Sequence, residues 1–154
     1  MPPQSEAAAA IVNGLLDQCV CASLGTINAS GAPFVSLVNV ARQSRGSFVM
    51  LLSGLAHHTK NIRHDNRCSM LVASPVRPDT DPLTSARVTL TGHAITLARG
   101  DDAAERSCLL KRHPSSEMYA DFGDFEFVRF DFTDAHLVAG FGRIESLGVS
   151  QLSG

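Results

Sequence analysis

The sequence predicts a mainly β, α+β protein in which six to seven short strands form an antiparallel barrel with flanking helices. Short β-rich runs follow one another closely, with few helical segments between them. No G-x-G-x-x-G fingerprint lies at a strand-to-helix turn, which weighs against a dinucleotide-binding fold, and Gly140–Phe141–Gly142 is too short to count as one. At 154 residues the chain is long enough for one substantial core, so we predict a single domain over residues 1–154, with loose ends at 1–5 and 145–154.

The N-terminal half is predicted to contain one long helix and three strands. Apolar residues at helical spacing indicate a helix over residues 5–21, with Ser5 as its N-cap. Residues 29–32 supply a turn between two β-rich runs, which favours a hairpin. The predicted strands are residues 21–28, 33–42 and 48–52, and a short helix is expected near residues 57–65.

The C-terminal half is predicted to alternate strands with two further helices. The alternation of apolar and polar residues after Arg87 is interrupted by Gly92, where we expect a bulge in a long bent strand. The predicted strands are residues 68–73, 87–97, 125–132 and 136–142, and the predicted helices are residues 101–113 and 115–122. The last two strands carry apolar residues on both faces, so we expect them to lie between other layers.

Charge and hydropathy narrow the function classes. The formal net charge is −2, so no basic field favours nucleic acid. No apolar segment approaches the roughly 20 residues that a membrane-spanning helix needs. The first residues lack the basic and apolar regions of a secretory signal. We therefore expect a soluble cytoplasmic protein that acts on a small molecule, with no nucleic-acid or membrane partner.

The cysteines and histidines do not show the spacing of a metal site. Cys19 and Cys21 are one residue too close for a CxxC pair, and no second pair accompanies them. We expect the four cysteines to be free buried thiols, because a core of this size in a reducing compartment does not need disulfides. His57, His58 and His64 are adjacent or seven apart, a spacing that predicts no metal set.

The segment from residue 48 to residue 61 carries the strongest functional signal. An apolar run ends at Ser53, and the next eight residues include two histidines, Thr59, Lys60 and Asn61. A strand that leads into the start of a helix presents free backbone N–H groups and the positive end of the helix dipole, which attract anions. The hydroxyls and the lysine favour phosphate as the ligand. The structural alternative is an ordinary connection in which Thr59 caps the helix and Lys60 is solvated.

Six motifs occur in order from about residue 10 to residue 144. They are residues 31–36, 52–61, 87–92, 112–114, 121–125 and 140–142. As an ordered set they resemble the FMN-binding split-barrel family related to pyridoxamine 5′-phosphate oxidase, and most closely the branch that includes the N-terminal domain of heme-utilization proteins. The resemblance implies a split β-barrel and a homodimer with FMN at the subunit interface.

The resemblance also implies positions for the cofactor. In that family the strand that corresponds to residues 34–41 lies along the flavin and offers it backbone groups. The residues assigned in this way are Ser36 and Val38 on that strand, Ser53, Thr59 and Lys60 at the phosphate, His58 and Asn61 beside them, and Arg87 approaching from the second subunit.

These expectations describe an FMN-dependent oxidoreductase with an unknown small substrate. No catalytic residue is assigned, because a flavin itself carries the redox chemistry. Residues 143–154 contain one arginine and no tryptophan or histidine, so the second phosphate site of a pyridoxamine 5′-phosphate oxidase is not expected. The alternative is a heme-binding or heme-utilization protein that uses the same barrel without flavin, with His57 and His58 as candidate ligands. A related deazaflavin, or no cofactor at all, also stays open.

Overall fold

A computed structural model describes residues 4–153 of the chain. The helices in this range are α1 (Gln4–Gln18), α2 (His57–His64), α3 (Ala103–Arg112) and α4 (Glu117–Ala120). The strands are β1 (Cys21–Ile27), β2 (Pro33–Asn39), β3 (Ala41–Ser44), β4 (Ser47–Ser53), β5 (Arg67–Ala73), β6 (Ala86–Thr96), β7 (Phe125–Ala139) and β8 (Ile144–Gly148). Short 3₁₀ turns cover Pro82–Thr84, Pro114–Ser116 and Val149–Gln151. None of the described helices is long and apolar enough to cross a membrane.

The strands form one antiparallel sheet that curls into a split barrel. Their hydrogen-bonded order is β2-β1-β5-β6-β7-β4-β3, and β8 pairs with the C-terminal half of β7. The two ends of this order, β2 and β3, are consecutive in the chain and separated only by the buried residue Val40. The Val40 carbonyl accepts a hydrogen bond from His113 Nε2 at 2.8 Å, which connects this corner to the end of α3. The antiparallel split β-barrel predicted from the sequence is thereby confirmed.

The long bent strand predicted around Gly92 is also present. The register between β6 and β7 shifts between Thr91 and Gly92. A Cβ atom on Gly92 would lie 2.0 Å from the Asp131 carbonyl oxygen and 2.6 Å from Phe132 Cα. Only glycine therefore allows the two strands to approach this closely at the bulge.

The first half of β7 separates two apolar clusters. Phe130 packs with Phe48 and α1 inside the barrel, whereas Phe127 packs with Val49 and Leu109 on the opposite face, beneath α3. This arrangement confirms that residues 125–132 lie between two layers.

Several predicted boundaries are wrong in the C-terminal region. The expected strands 125–132 and 136–142 are joined in one strand, β7, because pairing with β6 resumes at Asp134 after the unpaired Thr133. This strand ends at Ala139, so residues 140–142 lie beyond it. Residues 145–152, expected to be loose, are ordered because β8 pairs with β7, and Leu152 is buried. Residues 115–122 contain a 3₁₀ turn and the short helix α4 rather than one helix.

The predicted helix cap, the predicted strand 33–42 and the predicted burial of the cysteines also differ from the structure. Ser5 lies within α1 and is not its N-cap, while residues 1–3 of the expected loose end lie outside the described residues. The predicted strand 33–42 is divided at Val40 into β2 and β3. All four cysteines are free thiols, but only Cys68 is buried, whereas Cys19 and Cys108 are half-buried and Cys21 is exposed.

We expect Gly92→Ala to lower the free energy of unfolding by about 3 kcal/mol, because the β6 and β7 backbones must separate to admit the methyl group. Urea unfolding followed by circular dichroism measures the change. Gly14→Ala is the matched control, since nothing lies within 4 Å of a Cβ atom there. Alanine inside α1 is expected to add about 0.5–1 kcal/mol. A Gly92→Ala protein as stable as the wild type would contradict the close approach.

Candidate functional site

Three of the predicted cofactor residues, Val38, Ser53 and His58, line one cavity of about 180 Å³. The cavity lies between the C-terminal ends of β2 and β4, the start of α2, and helices α3 and α4, and we call it the β2–α2 cavity. Its remaining lining residues are mostly apolar: Leu37, Asn39, Leu51, Leu52, Ala56, Leu109, Ser116 and Tyr119.

His58 is held on the wall of the β2–α2 cavity by Ser36. Its Nδ1 lies 2.9 Å from Ser36 Oγ, and this is the one hydrogen bond of the imidazole within residues 4–153. Burial lowers the pKa of His58 below its usual value of 6.5, because desolvation disfavours the charged ring. The imidazole is therefore neutral at neutral pH, and its second ring nitrogen has no partner among the described residues.

His57 and Lys60 lie on the solvent side of α2. Both side chains are exposed. The ring of His57 is tilted against that of Phe34 on β2, with 5.8 Å between their centroids. The two consecutive histidines thus face different surroundings, and only His58 borders the cavity.

Thr59 and Asn61 point into the protein. Thr59 is 1% exposed, and its hydroxyl donates to the Ser53 carbonyl at 2.6 Å. The buried Asn61 amide donates to Thr26 Oγ1 at 3.0 Å. Both hydrogen bonds connect α2 to the barrel, so the donors that the sequence offered to a phosphate already have acceptors inside the chain.

Thr59 is not the N-cap of α2. The helix begins at His57 with Ala56 in the cap position, and no side chain within residues 4–153 caps it. Thr59 is the third helical residue, and its hydroxyl bonds to a strand carbonyl rather than to a helix amide. The first N–H groups of α2 therefore lack intrahelical partners, as at any helix start.

A carboxylate that the sequence reasoning did not assign lies beside Ser53. Ser53 Oγ donates to Asp124 Oδ2 at 3.3 Å and accepts a hydrogen bond from the Leu55 amide at 3.2 Å. The Gly54 amide also donates to the Asp124 carbonyl. Asp124 lies in the motif of residues 121–125 that supported the family resemblance, so a role for that motif was detectable, although its contact with Ser53 was not.

Arg87 does not reach the β2–α2 cavity within one chain. Its guanidinium donates to the carbonyls of Leu83 at 2.9 Å and Ser85 at 3.3 Å, at the start of β6.

Within residues 4–153, no three histidine, cysteine, aspartate or glutamate side chains are grouped to hold a metal ion.

Comparison with known proteins identifies the family. The sequence model of the CREG β-barrel family matches residues 3–152. The chain belongs to the CREG β-barrel family. A curated relative, the chloroplastic non-canonical heme oxygenase HOZ of Arabidopsis thaliana, is 34% identical over 131 residues. This match covers 84% of the present chain and 39% of HOZ, so the chain spans well under half the length of that relative.

Solved structures show the same fold. A heme-binding protein from Mycobacterium smegmatis superposes with a TM-score of 0.81 and 29% identity, over 98% of this CREG β-barrel chain and 60% of the other. A protein from Clostridium acetobutylicum related to general stress protein 26, of the pyridoxinephosphate oxidase family, has a TM-score of 0.73 and 13% identity, over 95% and 97% of the two chains. The second likeness concerns the fold alone, and it confirms the split-barrel resemblance.

We expect Thr59→Val to lower the free energy of unfolding by about 1–2 kcal/mol, because the Ser53 carbonyl loses one of its two donors at a buried position. Thermal or urea unfolding measures the change. Thr80→Val is the control, since the Thr80 hydroxyl donates to the Arg77 carbonyl at 3.1 Å on an exposed loop. The control is expected to change stability by less than about 0.5 kcal/mol. Equal losses of unfolding free energy in the two variants would show that the Thr59 hydrogen bond stabilises the protein no more than an exposed one.

Proposed function

We propose that this chain is a heme-binding protein and that heme binds at the β2–α2 cavity. The observation that carries the proposal is the neutral imidazole of His58, which Ser36 holds on the wall of a largely apolar cavity. Neutral imidazole is the form that ligates metals, and a ligating histidine usually has its other ring nitrogen hydrogen-bonded. Bound heme would supply an iron centre for redox chemistry, and His58 would hold it.

Two relatives support a heme ligand over other choices. The Arabidopsis protein is named as a heme oxygenase, and the Mycobacterium smegmatis protein as heme binding. Both likenesses extend over most of this chain, at 84% and 98% of its length. The match to the Mycobacterium smegmatis protein, at 98% of this chain, includes the segments that line the β2–α2 cavity.

The β2–α2 cavity of one chain is too small to enclose a porphyrin. Its volume of about 180 Å³ is below the roughly 300–1,000 Å³ of ordinary ligand pockets. Apolar surface continues outside it, however, because Leu37 is 74% and Val35 69% exposed on the open edge strand β2. We propose that a second copy of the chain covers the remainder of the ligand.

The outer face of the barrel offers a surface for that second copy. Two cross-strand rows contain no charged residue: Val35, Gly25, Ser69 and Thr91 in one, and Leu37, Ser23, Leu71 and Thr89 in the other. Val35, Leu37 and Leu71 are exposed on this face. An uncharged surface that combines exposed aliphatic side chains with serine and threonine across four strands is typical of a protein interface.

Sedimentation equilibrium tests the homodimer. The wild type is expected to be a dimer, and Leu37→Lys combined with Leu71→Lys is expected to be a monomer, because two lysines would be buried without partners. Val76→Lys, on an exposed loop away from these rows, is the control and is expected to stay dimeric. A monomeric wild type, or a dimer that tolerates both lysines, would exclude this interface.

Hemin titration followed by the Soret band tests the heme proposal. The wild type is expected to bind hemin with a shifted Soret band, and His58→Ala is expected to lose about tenfold or more in affinity. The control, His64→Ala, removes an exposed histidine from the same helix and is expected to bind like the wild type.

Two other outcomes of this titration have separate meanings. A wild type that gives no Soret shift would overturn the heme proposal. A loss of affinity in His57→Ala but not in His58→Ala would keep heme and move the ligand to the exposed histidine. Circular dichroism of each variant checks that the fold is retained.

The FMN-dependent oxidoreductase expected from the sequence is less well supported by the geometry. Its favourable features are the exposed Lys60 and the uncapped start of α2. However, a phosphate needs several donors at once, and the hydroxyls of Ser53 and Thr59 donate to groups of the chain itself. FMN is therefore the second candidate.

A further inference from the structure

We infer that Asp124 is a specificity-determining residue whose carboxylate excludes phosphate groups, including that of FMN, from the junction between β4 and α2. The position is the one where the sequence predicts a phosphate cradle. The inference concerns which cofactor the chain rejects, so it does not depend on the heme proposal.

Two of the donors in the predicted cradle are unavailable for a structural reason. The hydroxyl of Thr59 and the amide of Asn61 are buried, and each donates to an acceptor of the barrel. Turning either group toward a ligand would break a hydrogen bond made at a buried side chain, which is costly. Ser53 is the remaining side-chain hydroxyl at the junction.

Ser53 has one hydrogen to donate, and Asp124 accepts it. The Oγ to Oδ2 distance is 3.3 Å. A hydroxyl carries a single O–H donor. While Ser53 donates that hydrogen to Asp124, a phosphate oxygen next to Ser53 Oγ would face a lone pair of the hydroxyl instead of its hydrogen. A phosphate at hydrogen-bond distance from the Ser53 hydroxyl would also lie within about 6 Å of the Asp124 carboxylate. Both groups are negatively charged, so they would repel each other.

The hydrogen-bond donors of the two arginines near the junction are engaged within the chain, although the guanidinium of Arg99 keeps its charge. Arg63 forms an ion pair with Glu126 on β7. The guanidinium of Arg99 donates to the carbonyls of Phe122 and Phe125. The exposed Lys60 is the one nearby cation with no ion pair or hydrogen bond among residues 4–153, and one exposed lysine is a weak site for a dianion in salt solution.

Asp124 is held in this position by the backbone as well as by its side chain. The Gly54 amide donates to its carbonyl, and Ser53 pairs with Phe125 in the β4–β7 ladder. The ladder fixes the residue that follows Asp124, so the backbone of Asp124 stays at the junction, and the hydrogen bond from Ser53 holds its exposed side chain there.

FMN titration followed by quenching of flavin fluorescence tests the inference. Asp124→Asn removes the charge and keeps the shape of the side chain. We expect this variant to bind FMN about tenfold or more tightly than the wild type at low ionic strength, with inorganic phosphate as a competitor. The advantage should shrink at high salt, because exposed charges are screened.

Asp79→Asn is the matched control, since it removes the same charge from an exposed loop between β5 and β6. It is expected to bind FMN like the wild type. Asp124→Ala serves as a second variant, and urea unfolding checks that each protein is folded.

Equal FMN affinity in the wild type and both Asp124 variants overturns the inference, and so does failure of every protein to bind FMN. Hemin titration of the same proteins separates this result from the heme proposal. A wild type without a Soret shift affects only that proposal, whereas the response to Asp124 substitution affects only the inference.

Discussion

The structure depends on the backbone ladder of β7, a fifteen-residue strand that pairs with β6 along one edge and with β4 and β8 along the other. Its register places Phe125 opposite Ser53, so the residue before the strand must lie at the end of β4. At Gly92 the two strands approach closely, and the unpaired Thr133 of β7 shifts the register there while pairing continues on both sides. The same pairing that builds the core therefore decides which side chains meet where β4 leads into α2.

Two neighbouring regions of the site have opposite character because of this geometry. At the start of α2, hydroxyl, amide and carboxylate groups satisfy one another, which stabilises the connection and leaves few donors for an anion. On the other side of Ser53, the β2–α2 cavity is bordered by aliphatic side chains, the neutral imidazole of His58 and the polar residues Asn39, Ser116 and Tyr119. The first region therefore offers few free donors to an anion, whereas the second offers aliphatic surface and one imidazole nitrogen without a partner among residues 4–153.

The sequence was sufficient for the barrel and insufficient for the contacts that select a ligand. Short β-rich runs and the interruption at Gly92 carry local signals, so strand existence and the bulge were predictable. Continuous β7 was not, because Thr133 and Asp134 resemble a turn, although the strand continues past the unpaired Thr133 and pairs again from Asp134. Thr59 points inward because α2 begins at His57. The sequence does not show this start, since no side chain within residues 4–153 caps the helix. Contacts such as Ser53 with Asp124 join residues far apart in sequence and follow only from the register.

The corner at Val40 has a consequence for the thermodynamics of binding. Because β2 continues directly into β3, the strand that carries Ser36 and Leu37 is fixed at one end by its hairpin with β1 and at the other by a buried residue bonded to His113. This part of the site is therefore preorganised. A ligand that lies against β2 loses little affinity to ordering of the protein, and the entropic cost of association falls on the ligand and on any second chain that covers it.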